Sequence, residues 1–431
     1  MKIKLILFLS ILFVFNYSCK KEEIPLTNLN LKVEKIDGVY RCTWNSTNIS
    51  SFEKYTLIAS KDSITEDLDL NFFSPSPKFI EDQTIGTWNF TISTPFEKKY
   101  FQLRVDIGDR ILYSEIIVFE NPHTRIVDNF KGQFLFHYPE IKTMYFGNDG
   151  TNKLKAYNYE DDKIKEIEFT QYISGGTGGN NGFGDEIYLF TYDNRLTILD
   201  AHTLAFKDWI LDFGPEIYSV STNQNGLITL AVNSYLEPTQ IYDRNGLTLL
   251  TTHDYANLSG IRSIGFLSKE NNKLLEIGKN DAHIYDLNEN GGVINHLSAI
   301  NPFDHPFTQG YGNQLAISPN GNYFASSSRG DMFDSNLTPL GQLKDLTGSN
   351  YFCYLFNEEN SVMYTSPSVL NTTNNASLIQ KFSLPDLSIV ETFENERYTP
   401  IYLFYIEDQI MILAISHTDY DDKVIINLKD F

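Results

Sequence analysis

Leu315-Ala316-Ile317-Ser318-Pro319-Asn320-Gly321-Asn322-Tyr323-Phe324-Ala325-Ser326 is the stretch whose reading decides the fold. Two short apolar segments with period-two alternation flank a Ser-Pro-Asn-Gly turn, and Asn-Gly suits the positive φ that a tight hairpin demands. Working outward, the same unit recurs at roughly 40 residues: strand, tight turn, strand, variable loop, strand, tight turn, strand. Third strands repeat as Leu196-Thr197-Ile198-Leu199-Asp200, Gln240-Ile241-Tyr242-Asp243, His283-Ile284-Tyr285-Asp286 and Val424-Ile425-Ile426-Asn427. Units begin near Gln133, Tyr172, Ile217, Gly260, Gly312, Ser349 and Pro400. The last has only three strands before Phe431, so its outer strand is expected from Thr124 to Asn129, closing a ring with both chain ends. A six-unit reading stays open, because the second unit is irregular around 175–184. The alternation, only 12 Ala, and Gly/Asn punctuation about every 8–12 residues argue against a helical repeat.

The 315–326 unit resembles the S-P-D-G-x-x-x-A turn of WD-repeat-like and YVTN-like propellers, with Asn320 in place of the usual Asp. The resemblance implies an all-β chain whose residues 121–431 form a β-propeller, seven-bladed with six as the alternative. Two further motifs are expected to be structural. Asp286-Leu287-Asn288-Glu289-Asn290-Gly291 matches half a calcium loop, but position twelve would be Leu297, which offers no carboxylate. A hairpin turn explains the same letters. The glycine run Ser174 to Gly184 lacks the Gly-Lys-Ser/Thr of a phosphate cradle and reads as a mobile loop.

Residues 28–120 alternate differently, in about seven short strands. Tyr40, Cys42 and Trp44 share one face, as do Phe101, Leu103, Val105 and Ile107 on a later strand. Together with the closing pair at 100–119, the segment resembles a fibronectin type III β-sandwich. The family's tyrosine-corner position falls on Phe101, which cannot donate that hydrogen bond, unless Tyr100 replaces it in a shifted register. The resemblance implies a spacer or a protein-binding module.

The N-terminus supplies an address. Lys2 and Lys4 precede an apolar run, Leu5 to Phe15, too short to span a bilayer as a helix. Asn16-Tyr17-Ser18-Cys19 resembles the lipobox of bacterial lipoproteins, which implies a signal peptide over 1–18, acylation (palmitate among the acyl groups) of Cys19, and a tether over 19–27. Lys20-Lys21-Glu22-Glu23 resembles the surface-export tag of Bacteroidota lipoproteins, and a solvated charged tether would look the same. The expected location is therefore the outer membrane, facing outward, with the membrane contacted through the lipid.

Charge agrees with that address. Lys+Arg number 34 against 55 Asp+Glu, a net −21 that becomes −23 without the two lysines of 1–18. An acidic chain of this kind is not built for nucleic acid. Cys42 and Cys353, the cysteines left after Cys19, lie in strand patterns of different domains and are expected as buried free thiols.

Residue patterns point to binding rather than catalysis, and no cofactor, metal set or catalytic motif stands out. In a propeller, second-to-third-strand and blade-to-blade loops share one face. The long loops fall in those two classes: 234–238, 301–311, 366–375 and 416–422. They carry the candidate ligand-binding residues Tyr235, Asp304, His305, Phe307, His417, Asp419 and Tyr420, with Phe303, Tyr311, Asp421 and Asp422 nearby. Aromatic and acidic side chains together suit a protein or a glycan. The leading expectation is a lipid-anchored, non-catalytic binding module. Alternatives are a propeller hydrolase or lyase acting on extracellular polysaccharide and a structural component of an envelope complex.

Overall fold

The computed structural model describes residues 29–429 except 37–38, 50, 61–62, 65–76, 91–96, 122–123, 128–132, 148–151, 211–215, 235–236, 254–262, 279–280, 301, 304–314, 327–328, 360, 368–377, 395–398, 407–408 and 417–422. The chain divides into two compact units, residues 1–124 and 125–431.

The first unit is a two-sheet β-sandwich. Lys32–Ile36, Val39–Thr43 and Thr87–Phe90 form one sheet in that order. The other runs Lys78–Ile80, Phe52–Ser60, Lys98–Ile107, Arg110–Tyr113, and Ile117–Glu120 pairs with the first part of Lys98–Ile107. Alternation buries one face of each sheet in a common core, where Tyr40 and Cys42 meet Tyr55, Leu57, Phe101 and Leu103. Trp44 packs edge-to-face on Tyr55 at 5.5 Å. Phe101 is fully buried without a hydroxyl, whereas Tyr55 supplies a polar tie on the neighbouring strand. The Tyr55 hydroxyl accepts from the Thr47 amide at 2.7 Å and donates to the Gln83 carbonyl at 3.0 Å.

The second unit contains seven four-stranded antiparallel sheets among the described residues. Their innermost strands are Gln133–Tyr138, Ile173–Asn180, Ile217–Thr222, Ser263–Phe266, Ala316–Ile317, Tyr351–Phe356 and Thr399–Ile406, which define blades 1 to 7. Each blade is a meander, and the core lies in the seams between blades. Tyr145, Leu154, Ile187 and Leu189 fill the seam of blades 1 and 2. Tyr188, Ile198, Ile228 and Leu230 fill that of blades 2 and 3. The series ends where Phe404 and Leu413 of blade 7 pack on Met144 and Phe146 of blade 1. A ring of seam cores is a β-propeller. Blade 7 takes Thr124–Val127 as its outer strand beside Lys423–Lys429, so the two ends of the chain close the ring by strand pairing.

Local chemistry explains the turns. In blade 5, the Ser318 hydroxyl accepts from the Tyr323 amide and the Asn320 carboxamide from the Asn322 amide, both at 2.9 Å. Gly321 sits at φ +72°, and a side chain there would strike the Leu267 carbonyl at 2.5 Å. The 286–291 segment is a hairpin turn: Asn288 oxygens accept the Gly291 and Gly292 amides.

One expectation is overturned. Most of the glycine run is no loop: Ile173–Asn180 is the innermost strand of blade 2 and pairs with Asp185–Thr191, and only Asn181 to Gly184 form the turn between them. Its glycines answer to crowding. A Cβ at Gly176 would lie 2.6 Å from the Tyr188 carbonyl and 2.8 Å from the Phe136 ring; one at Gly178 would meet Tyr138 at 2.8 Å. The aromatics of blade 1 occupy the space that side chains of blade 2 would otherwise fill. Cys42 and Cys353 are free and buried, and burial pushes both thiols up to about 12.

Candidate functional site

The two rims of the ring differ by strand direction. Connections from second to third strands and from one blade to the next emerge at one rim, here the upper; the remaining turns emerge at the lower. Cys19, Tyr235, Asp304, His305, Phe307, His417, Asp419 and Tyr420 lie outside the described residues. The strands bounding their loops are described and end at the upper rim: Leu227–Val232 and Thr239–Asp243, Val293–Ile300 and Ala316–Ile317, Gln409–Ser416 and Lys423–Lys429. Phe303 is half-buried and packs on Phe333 at 5.9 Å, so it serves the core more than a ligand.

The described part of the upper rim carries aromatic rings that the sequence reading passed over. Among the described residues, the exposed large aromatics of the propeller are Tyr172, Phe183, Tyr192, Phe206 and Trp209. All lie in blade 2 or immediately before it. Tyr172 ends the connection from blade 1, and Tyr192 opens the turn after Asp185–Thr191. The Tyr192 amide donates to the Tyr172 carbonyl at 3.1 Å, which sets the rings perpendicular with centroids 6.4 Å apart. Tyr192 is 66% exposed. Asn194 takes a positive φ of 60° in the turn, as Asn tolerates. Arg195 then lies over Trp209 at 4.8 Å, 3.5 Å from the Asp193 carboxylate. Asp193 is itself held by the Thr191 hydroxyl. The result is an aromatic and polar surface on short turns, braced by these contacts.

Beneath it, the seam of blades 2 and 3 is stapled by charge. Glu186 is fully buried and pairs with Arg244 through two hydrogen bonds of 2.8 Å, with Lys207 at 2.7 Å and with the Tyr188 hydroxyl at 2.6 Å. Burial opposes its ionisation, but the hydrogen bonds from Arg244, Lys207 and Tyr188 outweigh this and bring its pKa down to about 2.

The seam of blades 3 and 4 has the opposite character. Glu276, on Lys273–Ile277, is also fully buried, yet among the described residues neither carboxyl oxygen has a hydrogen bond of ordinary geometry. Burial pushes it up to about 7, while Thr239, Tyr285 and His283 pull weakly the other way. Around it stand parallel rings: His253 on Tyr285 at 5.5 Å, Tyr285 on His296 at 4.7 Å and His296 on His283 at 5.1 Å. His283 Nδ1 and His296 Nε2 are 2.9 Å apart, so one donates and the other accepts. Burial lowers the pKa of both His253 and His296.

Among the described residues no three His, Cys, Asp or Glu are grouped to hold a metal ion. A groove of about 270 Å³ at the lower rim, between blades 1 and 2, is lined by Lys163, Lys165, Asp161 and His202. Its charges are already engaged: Lys163 with Asp161 at 3.1 Å and His202 with Asp185 at 2.9 Å. The upper rim of blade 2 is therefore the better candidate.

Comparison with known proteins supports the architecture. No protein-family model matches the chain, and no curated protein matches it. Among solved structures, it is similar to a chain in the crystal structure of a mitotic checkpoint complex, with a TM-score of 0.53 and 9% identity. The match covers 72% of this chain, a share close to that of the propeller unit, and 92% of that chain. At this identity the likeness shows the fold alone: an all-β propeller.

Proposed function

We propose that this chain is a non-catalytic binding module, held at the cell envelope by lipid on Cys19, that recognises a protein through the upper rim of its propeller. The observation that carries this reading is the gathering of exposed aromatic rings on blade 2, three of them at that rim. Tyrosine and tryptophan offer large contact area at small entropic cost, with a polar group for orientation. The long connections bearing Tyr235, Asp304, His305, Phe307, His417, Asp419 and Tyr420 would extend the same surface. The sandwich serves as a spacer between lipid and propeller. With a net charge of −23 once residues 1–18 are removed, encounter favours a basic partner surface.

Two measurements test the reading. Cys19→Ala should move the protein from the membrane fraction to the soluble one, and unchanged fractionation removes the anchor. For recognition, the immobilised full chain should retain a specific protein from envelope extract, and Tyr172→Ala/Tyr192→Ala should lose at least nine-tenths of it, about 1.4 kcal/mol or more. Retention unaffected by the double substitution, or retention of a glycan and no protein, overturns it.

A further inference from the structure

The outer strand of blade 4, Val293–Ile300, stands apart from the other blade edges. It is eight residues long, and its sequence Val-Ile-Asn-His-Leu-Ser-Ala-Ile has no Asp, Glu, Lys, Arg or Pro. Elsewhere the edges are guarded against pairing. Blade 1 ends in Lys163–Glu168, Lys-Ile-Lys-Glu-Ile-Glu; blade 5 in the four-residue Pro339–Gln342; blade 6 in Ile389–Glu394 with two glutamates. Charge, proline, shortness and bulges are devices that stop an edge from recruiting another strand, and the bulge beside the third strand is common to blades 2 to 6, so it does not set this edge apart. Thr248–His253 of blade 3 also lacks charge, but only its first two residues are exposed.

On Val293–Ile300 the apolar side chains face solvent: Ile294 is 71% exposed and Ile300 82%. Its inner side pairs with the third strand from Asp281↔Ile300 to Asp286↔Asn295, and a bulge at Ile294 precedes the last pair, Leu287↔Val293. No described strand pairs with its outer side.

The pattern is self-complementary. Ile294 and Ile300 are equidistant in sequence from Leu297, itself exposed. Two copies laid antiparallel with Leu297 facing Leu297 set each Ile294 opposite an Ile300 and bring no charges together. Such cross-strand apolar pairs are the unit of sheet stabilisation. The chain's net negative charge opposes self-association, and this strand adds no charge of its own to that opposition.

We infer that a second copy of this chain docks on Val293–Ile300, related by a two-fold axis at Leu297, so that two blade 4 sheets join into one. The pairing is isologous and closes at a dimer. It goes beyond the recognition surface argued above and stands independently of it.

Sedimentation equilibrium of the secreted Cys19→Ala chain tests the docking. The chain is expected to dimerise in the micromolar range. Ile294→Lys/Ile300→Lys places lysine opposite lysine and should weaken association at least tenfold. Ile294→Asp/Ile300→Lys places aspartate opposite lysine in this register alone and should restore association at low salt. All these positions are exposed, and unchanged circular dichroism confirms folding. A chain that stays monomeric at high micromolar concentration, a dimer indifferent to the lysine pair, or failure of the Asp/Lys pair to restore it overturns the inference.

Discussion

The seams on either side of blade 3 both bury a glutamate on a second strand, and they treat it in opposite ways. Glu186 meets Arg244 and Lys207, two hydrogen-bonding cations that hold it ionised. Glu276 meets the hydroxyls of Thr239 and Tyr285 and the imidazole of His283, with no lysine or arginine paired to it among the described residues, and burial holds it protonated up to about 7. The difference teaches that burial by itself does not set the state of a carboxyl. The neighbours do, from the same blade and from the one it faces, because desolvation costs several kcal/mol unless a cation and hydrogen bonds offset it.

Breaking the stronger seam should have the largest effect. Glu186→Ala leaves Arg244 buried without its carboxylate and should cost about 3–5 kcal/mol, read by urea unfolding at neutral pH. The folded-state pKa of Glu186 is depressed, so its contribution is present above the unfolded value of 4.5 and lost as pH falls toward 2. The deficit of the variant should therefore shrink in acid.

Glu276→Gln should act in the other direction. A raised folded-state pKa contributes stability that is fully present below 4.5 and lost as pH rises through about 7. The substitution removes that loss, so it should stabilise the protein at pH 8 by up to about 3 kcal/mol and have little effect near pH 4. His253 and His296, whose pKa values are lowered, oppose this trend: their contribution is present above 6.5 and lost as pH falls. A Glu276→Gln variant that is less stable than wild type at pH 8 would remove the contrast between the seams. The smallest effect belongs to the rim. Tyr192→Ala should change stability by under about 0.5 kcal/mol, since the ring is mostly in solvent.

The architecture was legible because it rests on repetition. The innermost strands begin at Gln133, Ile173, Ile217, Ser263, Ala316, Tyr351 and Thr399, each within four residues of the start read from the turn pattern. Thr124–Val127 closes blade 7 as the missing strand required. The glycine strand was illegible for a physical reason: alternation is read from side chains, and Ser174 to Gly184 has few to read. What demands glycine there is Phe136 and Tyr138 on the neighbouring blade, some 40 residues away.

Site residues were harder to find. Glu186, Arg244 and Glu276 look like solvent-facing residues in sequence, and only the closing of the seams buries them. Arg244 sits in Asp243-Arg244-Asn245-Gly246, where the hairpin signal masks its partner across the seam. Tyr172 and Tyr192 lie in short turns, whereas length marks a loop as a candidate in sequence. Aromatic residues at strand ends, on the side of the second-to-third-strand turn, are the signal that would have marked them.

The central claim is that the upper rim of blade 2 touches a protein partner. A photo-reactive residue at Tyr192, in the full chain in intact cells, tests it most directly against the same residue at Ile164, which is exposed on the outer strand of blade 1. A discrete crosslinked protein at position 192 and none at 164 is the predicted result. No crosslink at 192, or the same products at both positions, would contradict it.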